Sequence, residues 1–276
     1  MAEKIPDYAF NPLRRCLDSV FITNRLLHLS MNGLQIISNR PQMVQHVIDL
    51  TVQAEQEVTA ELTSELEDAT ADAAFTRDER DNDFPRLHAY TLVGQWGALE
   101  AGIEDMLVGI LVNEPKVLEK EEFAKVKVPL SKYELLDKEE RMRFLLGEVQ
   151  RAQSFGIAQG VNTFENVLQV FDLSGSVEQD VRIGLWEMNH MRNVLVHRDS
   201  RADLRLIQAC PSLNLKIGDR VLISHERYGY YSNVLIDYIR LVICRLGKRY
   251  GAPPPKWALP DGLAQRPIFS PGKKEE

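Results

Sequence analysis

Arg192-Asn193-Val194-Leu195-Val196-His197 places a permanent cation, a compact amide and a side chain that titrates near neutral pH in a short, otherwise apolar segment. An imidazole, with an ordinary pKa of about 6.5, can take the proton from an RNA 2′-hydroxyl or give one to the departing 5′-oxygen. A guanidinium can hold the phosphate and stabilise the charge that builds on its oxygens during attack. Asn193 can donate to a phosphate oxygen or orient the imidazole. Such chemistry needs no metal, and DNA would be inert because it lacks the internal nucleophile. The bland alternative is also open, since a histidine in a last helical turn can simply favour the helix dipole.

On a helix, residues 192 and 197 lie about 140° apart around the axis, so they do not stack as an i,i+4 pair would. They flank a face centred on Trp186, Asn189, Asn193 and Val196. One histidine cannot readily act as base and acid in the same step. A symmetric partner helix across this face would bring two Arg–His pairs into one cleft. His190, on nearly the same face as His197, is either a packing or interface residue or a second participant. Glu100 and Glu104 form an i,i+4 acidic pair on an earlier helix, either a solvated stripe or a partner for the basic motif. His28, His46, His88 and His225 fall in unrelated segments, and no His/Cys/carboxylate cluster has metal-ligand spacing, so neither a metal nor a cofactor is expected.

The 276-residue chain carries a formal charge of −7, which argues against a protein that coats nucleic acid non-specifically. That average hides an asymmetry. From 182 to 249 there are 12 Lys/Arg against 6 Asp/Glu, so the hexapeptide sits in the basic part of an acidic chain. Cys16, Cys210 and Cys244 are widely spaced and in no metal pattern, consistent with a reducing cytoplasm. No stretch is apolar enough for a membrane span, and the N-terminus lacks the apolar core of a secretory signal. A Gly-rich phosphate loop, a dinucleotide fingerprint and a GxSxG elbow are all missing from the sequence.

The elements that must position the hexapeptide are helices. Near-helical apolar spacing covers 12–39 and continues, with an acidic run, over 42–72. Residues 77–85, RDERDNDFP, read as a loop. A helix of roughly seven turns follows from Leu87, ending near Pro115. Residues 116–130 read as a linker, 135–150 and 163–171 as helices, and Ser174-Gly175-Ser176 as a break. Ser176 with Gln179 resembles a capping box that opens a helix over 177–196. Alternation around Gly218-Asp219 predicts a small β-hairpin at 213–224, and a last long helix spans 228–250. Six of the 13 prolines lie beyond Gly251, predicting an extended or disordered tail laid over the body through Trp257.

The hexapeptide resembles the Arg-x4-6-His motif of HEPN-domain proteins, in the form with Asn after the Arg. Its setting is similar too. It lies late in a helix preceded by a long helix containing Leu99-Glu100-Ala101-Gly102-Ile103-Glu104, and it is followed by Pro211-Ser212-Leu213-Asn214-Leu215-Lys216-Ile217-Gly218-Asp219-Arg220, which is similar to a leucine–Gly-Asp insertion of uncharacterised HEPN proteins. The resemblance covers roughly residues 83–250. It implies an all-α, HEPN-like helical bundle with a small β-hairpin insertion after the motif helix. The corresponding divisions are an N-terminal helical region (1–82), the HEPN-like domain (83–250) and a Pro-rich tail (251–276).

The resemblance further implies a homodimer across the motif helix and metal-independent cleavage of single-stranded RNA. Arg192 and His197 would be catalytic, Asn193 the accompanying polar residue, and Glu100 or Glu104 the acidic neighbour of the Arg. An antitoxin or defence-system partner protein is implied by the same route. Asp199 stands where HepT-like toxins of this family carry a tyrosine. Two other readings stay open: a non-catalytic HEPN scaffold, immunity or regulatory protein, which the acidic N-terminal region suits, and a helical nucleotide-binding module.

Overall fold

A computed structural model describes residues 4–153 and 160–258. Its helices are α1 (Asp7–Ile37), α2 (Arg40–Gln53), α3 (Ala60–Asp81), α4 (Pro85–Asn113), α5 (Glu121–Ala124), α6 (Leu130–Tyr133), α7 (Lys138–Gln153), α8 (Val161–Val170), α9 (Gln179–His197), α10 (Leu204–Ala209) and α11 (His225–Arg249). Short 3-10 turns cover Pro115–Glu119, Pro211–Leu213 and Lys256–Ala258. No strand forms among the described residues, so the chain is all-α, and no helix there is long and apolar enough to cross a membrane. Two compact units are interleaved along the chain. One comprises Met1–Val20, Leu92–Val221 and Gly229–Glu276; the other comprises Phe21–Thr91 and Leu222–Tyr228.

The larger unit is built on the apolar faces of α4 and α11. Trp96, Leu99, Met106, Leu107 and Ile110 of α4 are buried, as are Tyr231, Leu235, Tyr238, Ile239 and Leu246 of α11. The start of α1 closes on α4 at Gly102 and Gly109. A Cβ at Gly109 would lie 2.4 Å from the Tyr8 carbonyl oxygen, so only glycine permits this approach. Nearby, Glu114 accepts from Tyr8 Oη (3.0 Å), Arg249 Nη2 (2.7 Å) and the Tyr250 hydroxyl. Burial alone would raise its pKa, but the donors Tyr250 and Arg249 hold it below the usual glutamate value.

A second clamp fixes the entry to α9. Glu165 of α8 accepts from Arg245 Nη1 (2.8 Å), Tyr238 Oη (2.7 Å) and the Gly175 backbone N–H (3.0 Å). Arg245 also donates to the carbonyls of Leu173 and Ser176, each at 3.1 Å. This arrangement replaces the expected capping box. The helix starts at Gln179 with Glu178 as a cap that makes no side-chain bond, while the turn containing Ser176 is held through its backbone.

The hairpin expected at 213–224 does not form. Asn214–Ser224 carries no strand; its polar backbone pairs instead with the segment after α9. Val221 N donates to Ser200 O, Ala202 N to Asp219 O and Gly218 N to Ala202 O, each at 2.8 Å, leaving an isolated antiparallel bridge between Arg201 and Arg220. The alternation around Gly218-Asp219 thus reports an extended segment whose partner is elsewhere. Of the Pro-rich tail, Ala252–Ala258 is described and does lie on the body: Arg240 donates to Trp257 O, and the Phe10 and Trp257 ring centroids are 6.5 Å apart. The expectation for the remaining tail falls outside the described residues.

In the smaller unit, α2 packs on α3, with Arg40 reaching Glu65 (3.3 Å) and Asp72 (3.5 Å). The expected loop at 77–85 is mostly helix, because this polar stretch does have something to bury. Thr76 and Glu79 are buried on α3, Arg86 pairs with Glu79, and the chain leaves the helix only at Asn82. Asp83 (φ 65°) and Phe84 (φ 52°) make the turn in left-handed conformations, with the Phe84 ring buried.

His88 is fully buried in this unit, its ring against Tyr228 and its Nε2 3.3 Å from His225 Nδ1. Burial, reinforced by His225 and opposed by Asp83, lowers its pKa to about 4. Between pH 6.5 and 4 the unfolded chain therefore binds a proton that the folded chain refuses. Stability is complete above the unfolded value and is lost as pH falls through this window. The shift corresponds to roughly 3 kcal/mol, and urea titrations across pH 4–7 of the native chain and His88→Phe are expected to differ by that slope. Parallel pH profiles for the two proteins would exclude His88 as the source.

Candidate functional site

Helix α9 is held from beneath and leaves one side open. A Cβ at Gly184 would lie 2.7 Å from Val234 Cγ2, so the glycine sets how near α9 approaches α11. Buried Glu187 accepts from Tyr231 Oη (2.8 Å) and Ser212 Oγ (2.6 Å). Trp186 Nε1 donates to Ala209 O (2.9 Å), tying α9 to α10. These bonds fix the rotation of α9 and hence which residues face outward.

Arg192 lies half-buried on the side facing α4, its Nη2 3.8 Å from Glu100 Oε2 and its Nη1 donating to Asn193 Oδ1 at 3.3 Å. Glu100 is therefore the carboxylate beside the motif cation. Glu104 is engaged elsewhere: Arg143 of α7 donates to it (2.8 Å) and to Asp105 (3.0 Å), and these carboxylates raise the Arg143 pKa. His197 is exposed in the last turn of α9. His190 is buried with its ring centroid 4.7 Å from that of Trp186, and its Nε2 has no hydrogen-bond partner among the described residues. Burial lowers its pKa, with Asp203 acting in the opposite sense.

The segment after His197 contributes cations that motif reading did not single out. Arg198 N and Ser200 N both donate to Val194 O (3.0 and 3.2 Å), and Asp199 (φ 49°) and Ser200 (φ 58°) turn the chain in left-handed conformations. Arg198, Arg201, Arg205, Lys216 and Arg220 are all exposed. Of the carboxylates interleaved with them, Asp203 accepts from Leu206 N (2.9 Å) and stands 3.9 Å from Arg198, and Asp219 accepts from Lys216 N (2.8 Å). Among the described residues Arg205, Lys216 and Arg220 have no ion-pair partner. The basic balance of 182–249 signalled this region, but only the bridge that sets Arg201 opposite Arg220 shows that these cations share a surface.

Neither of two surface cavities contains the Arg–His pair. One, of about 430 Å³, lies against the first half of α9 between Asn162, Arg182, Ile183, Trp186 and Ser212. The other, of about 480 Å³, lies at the end of α4 beside Lys116, Lys120 and Arg249. There Lys120 donates to Val170 O and Asp172, and Arg249 to Glu114, so these cations already have protein acceptors. Among the described residues no three His, Cys, Asp or Glu side chains gather as a metal site. The arrangement on α9 can thus hold an extended polyanion on an open surface and offer it one accessible imidazole. No family model, curated protein or solved structure matches this chain.

Proposed function

We propose that this protein is a HEPN-like, metal-independent endoribonuclease that cuts single-stranded RNA by 2′-hydroxyl transesterification. The observation that carries the reading is the company of His197: an exposed imidazole, a half-buried Arg192 on the same helix, and an adjoining surface whose arginines outnumber free carboxylates. The cations hold successive phosphates, and Arg192 neutralises the one that reacts. His197 moves the proton. Because Arg192 and His197 point in directions about 140° apart, one copy does not close around the phosphate. A second copy meeting along α9 supplies the complementary acid or base and makes the cleft composite. Such an enzyme requires restraint, which suits a toxin or antiviral defence effector held by an antitoxin or defence-system partner.

The divergence of the two side chains also favours a second reading. Arg192 engages Glu100 rather than His197, as it would in a non-catalytic HEPN scaffold, immunity or regulatory protein that uses α9 as a polar interface. The two readings part on one substrate comparison. The purified chain, in chelator and without added metal, is expected to cut a single-stranded RNA and to leave the 2′-O-methyl RNA and the DNA of the same sequence intact. The products carry 2′,3′-cyclic phosphate ends. Intact RNA under these conditions, or equal cleavage of the 2′-O-methyl strand, removes the transesterification reading.

A further inference from the structure

In the smaller unit, helix α1 is apolar on two opposite faces. The inward face carries the buried Leu27 and, one heptad on, the half-buried Leu34. The outward face carries Ile22, Leu26, Leu29 and Ile36, again at near-heptad spacing. Helix α2 repeats the arrangement, burying Val44 while Met43, Val47 and Leu50 point outward. These seven outward side chains are between 48% and 68% exposed. From Phe21 to Gln53 the only Asp, Glu, Lys or Arg residues are Arg25, Arg40 and Asp49, and Arg40 is committed to α3. A solvent face of this length ordinarily carries charge, whereas the centre of an interface is depleted of it.

From these observations we infer that the outward faces of α1 and α2 are a self-association surface, occupied by the same faces of a second copy of this chain. Three features specify a second copy. The α1 stripe is nearly symmetric about Leu29: in an antiparallel pair with its dyad at Leu29, Ile22 meets Ile36 of the other copy and Leu26 meets Asn32–Gly33. Gly33 suits that contact. A Cβ there would meet no atom within 4 Å, so packing inside the chain does not call for the glycine, which in a helix interior costs about 1 kcal/mol relative to alanine. Across the dyad it leaves room for Leu26 and the stem of Arg25. Finally, the patch is large: at on the order of 100 Å² each, the four α1 side chains give roughly 400 Å² per copy, the size of an ordinary monomer's largest and often functional patch, and the exposed side chains of α2 add to it. This contact is independent of RNA cleavage and of any pairing along α9.

Sedimentation of the full chain at about 1–100 μM tests the surface, and cysteine cross-linking tests its geometry. The native chain is expected to associate, and Leu29→Lys to halve the observed mass with helicity unchanged, because Leu29 is exposed. Ile217→Lys, at an exposed isoleucine of the other unit, leaves the mass as it was. Under mild oxidation Leu29→Cys cross-links to itself at the dyad, whereas Gln35→Cys, on another side of α1, does not. The inference is overturned if the native chain is monomeric throughout, if Leu29→Lys leaves the mass unchanged, or if the two cysteine variants cross-link alike. A monomer that instead floats with neutral phospholipid vesicles overturns it in favour of a lipid surface.

Discussion

His197→Ala is expected to slow cleavage of single-stranded RNA by about 10²–10⁴-fold, the range for loss of a positioned general acid or base. Arg192→Ala is expected to cost about 10²–10³-fold, as when one donor to a developing oxyanion is removed. Both should leave thermal unfolding almost unchanged. His197 is exposed, and Arg192 makes only a loose contact with Glu100. Single-turnover rates with saturating RNA separate chemistry from binding. Arg205→Ala and Arg220→Ala should instead weaken binding and flatten its salt dependence while sparing the saturated rate. Mixing native and His197→Ala chains asks whether a cleft needs both histidines: activity then falls as the square of the native fraction rather than in proportion to it. Cleavage by His197→Ala at the native rate would take away the catalytic role, whatever the other variants do.

The largest expected effect on stability lies at Arg245. Its guanidinium and the Glu165 carboxylate are both nearly buried, 2.8 Å apart, and Tyr238 donates to the same carboxylate. Arg245→Met retains most of the side-chain volume but strands a buried anion and frees the carbonyls of Leu173 and Ser176. Breaking such a pair costs about 3–5 kcal/mol, a large part of the ~5–15 kcal/mol that holds an ordinary domain together. A shift of the urea midpoint of that size is expected, measured by far-UV circular dichroism at constant m-value. Arg245→Met with Glu165→Gln should recover part of the loss, because the second change removes the unpaired charge. At the exposed Arg14–Asp18 pair, Arg14→Gln should leave the midpoint in place. If Arg245→Met unfolds at the native midpoint, the clamp contributes nothing to stability.

Helices whose apolar spacing reports their own burial were legible in the sequence. The periodic runs that became α1, α4, α8 and α11 end within a few residues of where spacing and proline punctuation put them. Legibility failed where a segment's partner is distant. Thr76 and Glu79 are polar, so no hydrophobic pattern announces that α3 continues beneath them; their burial depends on Arg86 and on the tertiary packing around them. The alternation at 213–224 describes an extended backbone, but alternation cannot tell pairing with itself from pairing with Ser200–Ala202. Within the candidate site, residue types and their separation along α9 were legible. Which glutamate stands by Arg192 was not, since Glu100 and Glu104 lie one turn apart on α4 and Arg143 decides between them. The tyrosines and arginines that hold buried glutamates carried no signal, each being unremarkable in its own neighbourhood.

The Tyr8–Glu114–Tyr250 junction has a consequence for synthesis. Its members are separated by 106 and 136 positions along the chain. Helical proteins commonly fold fast because most of their contacts are local, and contacts this remote slow the search. As the chain leaves the ribosome, Tyr8 must wait for Glu114, and both must wait for the end of α11 before their hydroxyl and carboxylate groups are satisfied together. During that interval Leu13, Cys16, Leu17 and Val20, buried in the finished protein, stand open to water beside the apolar outer stripe of α1. Helix α1 is thus made before α4 and α11 but completed only after them, and in that interval its apolar side chains are what a chaperone would cover.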